Sequence, residues 1–137
     1  MMKLLTITVP SYNSEAYLDR CMETLLPGGD EVEILIVDDG STDRTAEIAD
    51  EYERKYPNIV RAIHKENGGH GDAVTTGIRN ATGLFFKVVD SDDSLAPEAY
   101  KQVLDFLRRI VKKNHELDML ISNFVYDRHD ENGDVLR

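Results

Sequence analysis

A chain of 137 residues that is 41% apolar is long enough to bury one stable core, and its single cysteine, Cys21, excludes a disulfide framework and fits a reducing, cytoplasmic setting. With 16 Lys and Arg against 26 Asp and Glu, the net charge of −10 suits no phosphate-backbone partner, so nucleic acid is not expected. No run of roughly 18 apolar residues offers a membrane span, and Met1 to Pro10 lacks the apolar region and cleavage site of a signal peptide.

Strand-length apolar runs alternate with helix-period stretches along the chain. Leu4 to Val9 is a β-branched run closed by Pro10 and predicts a buried strand. Asn13 or Ser14 is placed to cap the following helix, whose Tyr17, Leu18, Cys21, Met22 and Leu25 recur at helical spacing until Pro27-Gly28-Gly29 ends it. Val32 to Val37 predicts a second strand running into Asp38-Asp39-Gly40-Ser41-Thr42-Asp43. Ser41 or Thr42 is placed to cap a helix with Ala46, Ile48, Ala49 and Tyr52 on its apolar stripe.

Ile59 to Ile63 is a short third strand, followed by the glycine-rich Asn67-Gly68-Gly69-His70-Gly71 and a helix over 72–81. Leu84 to Val89 predicts a fourth strand ending at Asp90-Ser91-Asp92-Asp93. Pro97 and Glu98 open the longest helix, Leu117 to Val125 is a fifth strand, and 130–134 reads as a hairpin turn. Continuous apolar strands with polar loops after them predict a three-layer α/β/α sandwich with a mostly parallel sheet.

In such sheets ligands bind outside the carboxyl ends of the strands, where three polar clusters fall. Carboxylates gathered at Asp90-Ser91-Asp92-Asp93 repel one another, and a hard divalent cation relieves that repulsion while keeping positions for water and substrate phosphates. The same residues also suit a solvated turn before a helix. Asp38-Asp39-Gly40-Ser41 can present a carboxylate and backbone N–H groups to a nucleobase or ribose, or can simply form a strand-to-helix turn. His70 is read as a solvated loop histidine ahead of a phosphate donor, and His64, His115 and His129 as surface or strand-end residues without ligand-like partners. Cys21 lies on an apolar helix face and is read as core. Neither G-x-G-x-x-G after the first strand nor G-x-x-x-x-G-K-[ST] is present.

The stretches Thr6-Ile7-Thr8-Val9-Pro10-Ser11-Tyr12-Asn13, Ile36-Val37-Asp38-Asp39-Gly40-Ser41-Thr42-Asp43, Glu66-Asn67-Gly68-Gly69, Ala81-Thr82-Gly83 and Val89-Asp90-Ser91-Asp92-Asp93 resemble, in order and separation, the motifs of the family-2 glycosyltransferases. That family has the GT-A fold, so the resemblance implies a Rossmann-like nucleotide-binding half. It further implies that Pro10, Tyr12 and Asn13 lie against the nucleotide, that Asp38 or Asp39 reads the base, and that Asn67, Gly68, Asp90 and Ser91 complete the nucleotide-sugar site. Asp90-Ser91-Asp92 matches the D-x-D motif, so Asp92, with Asp90, would ligate Mn²⁺ or Mg²⁺.

The implied reaction is metal-dependent transfer of a sugar from a nucleotide-diphosphate sugar, a UDP-sugar above others, to a hydroxyl of a glycan or lipid-linked acceptor, with inversion. Cell-wall or capsular polysaccharide synthesis at the inner face of the membrane is the implied setting. The family's base lies after the D-x-D helix and the next strands. It is therefore expected beyond Arg137, Asp118, Asp127 and Asp130 being poor substitutes, and residues 1–137 are expected to be one domain incomplete at its C-terminal end. An interrupted sheet leaves an edge that pairing with another chain, as in a homo-oligomer, would cover.

Two other readings compete. In a phospho-receiver signalling domain, Asp90 would be the phosphoacceptor and Ser122 the sensing hydroxyl, but no Lys stands at the end of a later strand, as that fold requires, and a complete strand–helix unit precedes the Asp pair. A non-catalytic nucleotide-sugar binding module would bind without turnover.

Overall fold

The computed structural model describes residues 3–113. In chain order these form β1 (Leu5–Ser11), α1 (Leu18–Leu25), a 3₁₀ turn (Leu26–Glu31), β2 (Val32–Asp39), α2 (Thr45–Lys55), β3 (Val60–Lys65), α3 (His70–Asn80), β4 (Phe85–Val88) and α4 (Pro97–Lys112). The expected fifth strand at 117–125 and the turn at 130–134 lie outside the described residues.

The four strands form one parallel sheet in the order β3-β2-β1-β4. Alternation along β1 and β2 decides what each face packs against. Leu5, Ile7 and Val9 align with Val32, Ile34 and Ile36, and this apolar face joins Leu18, Cys21, Met22 and Leu25 of α1, Ala49 of α2, and Tyr100, Leu104, Leu107 and Ile110 of α4 in the main core. Each fully buried Leu or Ile there contributes about 1.5–3 kcal/mol relative to exposure. On the opposite face Leu35 and Val37 pack with Ala73 of α3. Helices therefore cover both faces of an all-parallel sheet, as expected for a GT-A-type α/β sandwich.

The α3 side also holds a charged group. Glu33 is buried, and its Oε1 accepts both the Thr6 hydroxyl and the Thr82 amide at 2.9 Å, while Oε2 lies 3.7 Å from Arg61. The Thr6 hydroxyl in turn accepts the Gly83 amide at 2.8 Å. These bonds satisfy a carboxylate that would otherwise be costly to bury, and they fasten Thr82-Gly83 onto the start of β1. A Cβ at Gly83 would come within 2.6 Å of the Thr6 backbone nitrogen, so the small residue is required by close packing.

Several local expectations change. Helix α1 starts at Leu18 with Tyr17 as N-cap, and α2 starts at Thr45 with Arg44 as N-cap; neither side chain bonds a helix-end amide. Asn13, Ser41 and Thr42 bond one another across loops instead, so tertiary contacts win over local capping. Asp43 takes over at α2, accepting the Thr45 amide at 2.8 Å. Pro27-Gly28-Gly29 does stop α1, within the 3₁₀ turn, where Gly29 adopts φ +73°. Strand β2 runs on through Asp39, so both aspartates belong to the strand and are buried.

Candidate functional site

Four segments meet at the carboxyl ends of the strands: 12–15 after β1, 38–43 at the end of β2, 66–70 after β3, and 90–95 after β4. A circuit of hydrogen bonds joins them. Ser41 Oγ accepts the Asn13 amide at 3.0 Å, and Asn13 Oδ1 accepts the Thr42 amide at 2.8 Å. These bonds hold Asn13 at φ +48°, a left-handed conformation that asparagine tolerates better than most side chains. The Asp39 carboxylate accepts the amides of Gly68 and Gly69 at 2.9 Å each, and the Asn67 side-chain amide donates to the Asp39 carbonyl at 3.0 Å.

His70 Nε2 lies 2.8 Å from Asp90 Oδ1, joining the third segment to the fourth. Ser14 and Ser91 hydroxyls, 2.6 Å apart and buried, close the circuit back to the first. Gly40 is needed at its position: it has φ +71°, and a Cβ there would sit 2.6 Å from the Asn67 amide nitrogen.

The two aspartates at the end of β2 have separate structural partners. Asp38 Oδ1 accepts the Ser41 amide at 3.0 Å, and Oδ2 lies 2.9 Å from His64 Nδ1. Asp39 faces Lys65 Nζ at 2.8 Å, and the same ammonium pairs with Asp72. Burial would push the Asp39 carboxyl up, but the Lys65 bond and the Gly68 and Gly69 amides outweigh it and hold it below the usual carboxylate range. The two carboxylates beside Lys65 hold its ammonium above the usual lysine range.

The acidic turn after β4 rests on α1. Cys21 Sγ points to the Asp90 carbonyl at 3.7 Å, and the Leu95 amide donates to Thr24 Oγ1 at 3.1 Å. The Asp93 amide donates to the Asp90 carbonyl at 2.9 Å, folding the turn so that Asp90, Asp92 and Asp93 each offer a carboxylate oxygen within 4.8 Å of the others. Burial, then the charges of Asp93, Asp92 and Asp90, push the Cys21 thiol up to about 12.

The residues named for nucleotide-sugar binding thus all lie at this edge, in two settings. Tyr12 (51% exposed), Asn13, Asn67, Gly68 and Asp92 face solvent. Pro10, Asp38, Asp39 and Ser91 are buried in the frame beneath, and Asp90 lies between. Three further residues belong with them. Asp93 joins the carboxylate group, His70 is tied to Asp90, and His64, read from sequence as lacking partners, bridges Asp38 and Asp50. His64 follows Asp38 in register on the neighbouring strand, a relationship that only strand pairing reveals.

The model of the family Glycosyl transferase family 2 matches residues 6–132. Glycosyltransferase GlyG of Streptococcus pneumoniae is 37% identical over 135 residues, covering 96% of this chain and 43% of GlyG. Chondroitin synthase of Escherichia coli is 39% identical over 107 residues, covering 77% of this chain and 16% of that protein. Among solved structures, TarS of S. aureus in complex with UDP-GlcNAc aligns with a TM-score of 0.67 at 31% identity, over 77% of this chain and 31% of TarS. The chain spans less than half the length of each of these relatives.

Proposed function

The chain belongs to glycosyl transferase family 2, and from that premise we propose that it is the donor-binding portion of an inverting enzyme that transfers a sugar from a UDP-sugar to a hydroxyl of a glycan or lipid-linked acceptor. One observation carries this reading: the bonded circuit of loops presents exposed Tyr12 and Asn13 on one side and three clustered carboxylates on another, at a single sheet edge. Membership in the family displaces the phospho-receiver alternative. The binding to UDP-GlcNAc in TarS supports a uridine nucleotide as donor. Chondroitin synthase among the relatives supports a polysaccharide setting; the cytoplasm, at the inner face of the membrane, is the location that goes with this reading.

In this reading Tyr12 offers an aromatic face to the base, Asn13 borders the same pocket, and the Asp38 and Asp39 frame sets the polar edge beside it. The carboxylates of Asp90, Asp92 and Asp93 fit a divalent cation by donor chemistry, being all-oxygen, anionic and mutually close. Asp92 is the most open of the three and would be the direct ligand, with Asp90 beside it. A bound Mn²⁺ or Mg²⁺ would supply charge neutralisation for the diphosphate. The buried Ser14–Ser91 contact and the Cys21 and Thr24 contacts fix the backbone of this turn, so the carboxylates need little reorganisation on binding. In this reading the base that deprotonates the acceptor hydroxyl would lie outside residues 1–137, which would bind the donor with little transfer activity of their own.

Calorimetric titration with UDP-GlcNAc, with and without Mn²⁺, tests the reading. Saturable binding strengthened by Mn²⁺ is expected. Absence of binding to every UDP-sugar tried would overturn it, and robust transfer to an acceptor by this chain would overturn the placement of the base.

A further inference from the structure

His64 stands between two carboxylates carried by different elements. Its Nδ1 lies 2.9 Å from Asp38 Oδ2 at the end of β2, and its Nε2 lies 2.7 Å from Asp50 Oδ1 on α2. An ionised carboxylate only accepts hydrogen bonds, so both ring nitrogens must carry a proton for both contacts to form, and the ring must be an imidazolium. The cations on neighbouring elements are committed elsewhere: Lys65 to Asp39 and Asp72, Arg61 to Glu33, and Arg54 to Glu51. Glu53, one turn along α2, accepts the Ala62 amide. Asp38 and Asp50 are therefore the charges in contact with the ring, and their hydrogen bonds hold it above the ordinary histidine range.

The contact extends toward the site. From His64 the bonds continue through Asp38 to the Ser41 amide, and from the Ser41 hydroxyl to the amide of Asn13, the residue held at φ +48° next to exposed Tyr12. We propose that His64 is a positioning residue for the nucleotide pocket, its imidazolium fixing Asp38 and through it the Ser41 and Asn13 turn that presents Tyr12. The proposal rests on the uridine-nucleotide reading above. A neutral ring can donate to only one of its two carboxylates and turns a lone pair toward the other, so the frame loosens as the proton leaves. Nucleotide affinity is then highest when His64 is charged and falls as pH rises through the histidine's titration.

Two measurements separate this coupling from the donor assignment. In ¹H–¹⁵N spectra of the full chain without nucleotide, between pH 5.5 and 9, the amides of Ser41 and Asn13 should shift with the same midpoint as the His64 ring. Amides that do not follow the ring would overturn the proposal, whatever the chain binds. In calorimetric titrations with UDP and Mn²⁺, affinity should fall about three- to tenfold between pH 6 and pH 8.5. His64→Asn, which keeps a donor near the Nδ1 position but does not titrate, should bind with a pH dependence flattened over that range. His64→Ala should bind more weakly than His64→Asn at pH 6. An unchanged pH profile in His64→Asn would overturn the proposal. Amide shifts that track His64 in a chain with no affinity for UDP would support the coupling and overturn the donor reading alone.

Discussion

The hydroxyls of Ser14 and Ser91 meet at 2.6 Å in the protein interior, tying the loop after the first strand to the acidic turn after the fourth. Each is the other's buried partner, although Ser14 also reaches the Tyr12 carbonyl at 3.3 Å. Removing one hydroxyl leaves the other short of a partner. Ser14→Ala and Ser91→Ala should each cost about 1–2 kcal/mol, and the double variant should cost less than their sum. Urea unfolding of the four proteins provides the cycle, and additive losses would show that the contact has no energetic weight.

Asp92→Ala should abolish the metal-dependent part of UDP binding while leaving the metal-free part near its original strength. Asp93→Ala should weaken the metal-dependent part by a smaller factor, since its neighbours retain two carboxylates. Calorimetry with and without Mn²⁺ reads both, and unchanged Mn²⁺ dependence in Asp92→Ala would remove that residue from the ligand set.

Gly77 in α3 and Gly83 before β4 mark tight approaches to β1. A Cβ at Gly77 would lie 2.3 Å from the Thr8 side chain, and one at Gly83 would lie 2.6 Å and 2.8 Å from backbone atoms of Thr6 and Leu5. Side chains can adjust more readily than backbone. Gly77→Ala should therefore destabilise by about 1–3 kcal/mol and Gly83→Ala by at least as much. Denaturant midpoints at fixed pH compare them.

Asp39 gives the fold an acid limb. Its folded value is depressed, so its contribution is fully present above the ordinary aspartate value of about 3.9 and is lost as pH falls through the lower folded value. Asp39→Asn should be less stable than the parent near neutral pH, and the difference should shrink below about pH 4. His64 behaves oppositely. Its folded value is raised, so its contribution is complete below about pH 6.5 and disappears as pH rises through the folded value. Stability curves against pH for Asp39→Asn and His64→Asn should thus converge on the parent at opposite ends.

Cys21 is fully buried with a thiol pushed up to about 12. Thiol reagents at pH 8 should label the native chain orders of magnitude more slowly than the urea-unfolded chain. Equal rates would show that the α1 face opens readily.

The strands and the face of α1 were legible because their signal is local: Leu5, Ile7 and Val9, or Leu18, Cys21, Met22 and Leu25, repeat at the period of the element they occupy. The acidic turn was also legible, since Asp90, Asp92 and Asp93 are sequence neighbours. What resisted reading was every role set by a distant partner. Glu33 looks misplaced in an apolar run until Thr6, Thr82 and Arg61 surround it. His64 looks idle until β3 lies beside β2 and α2 folds over its end. Ser41 resembles a helix cap, yet its hydroxyl is taken by Asn13.

The strand order carries a consequence for how the site comes into being. β1 pairs with β2 on one side, but on its other side Leu5 awaits Phe85, 80 positions later, after β2 and β3 have been made. Closing so long a loop is slow to be rewarded, so β1, β2 and β3 can associate before β4 arrives. The Tyr12 side of the loop circuit belongs to that early unit, whereas the carboxylate turn arrives only with β4. Refolding monitored by a Mn²⁺-sensitive signal should therefore lag behind refolding monitored by the environment of Tyr12, making the proposed cation capture a marker of β4 joining the sheet.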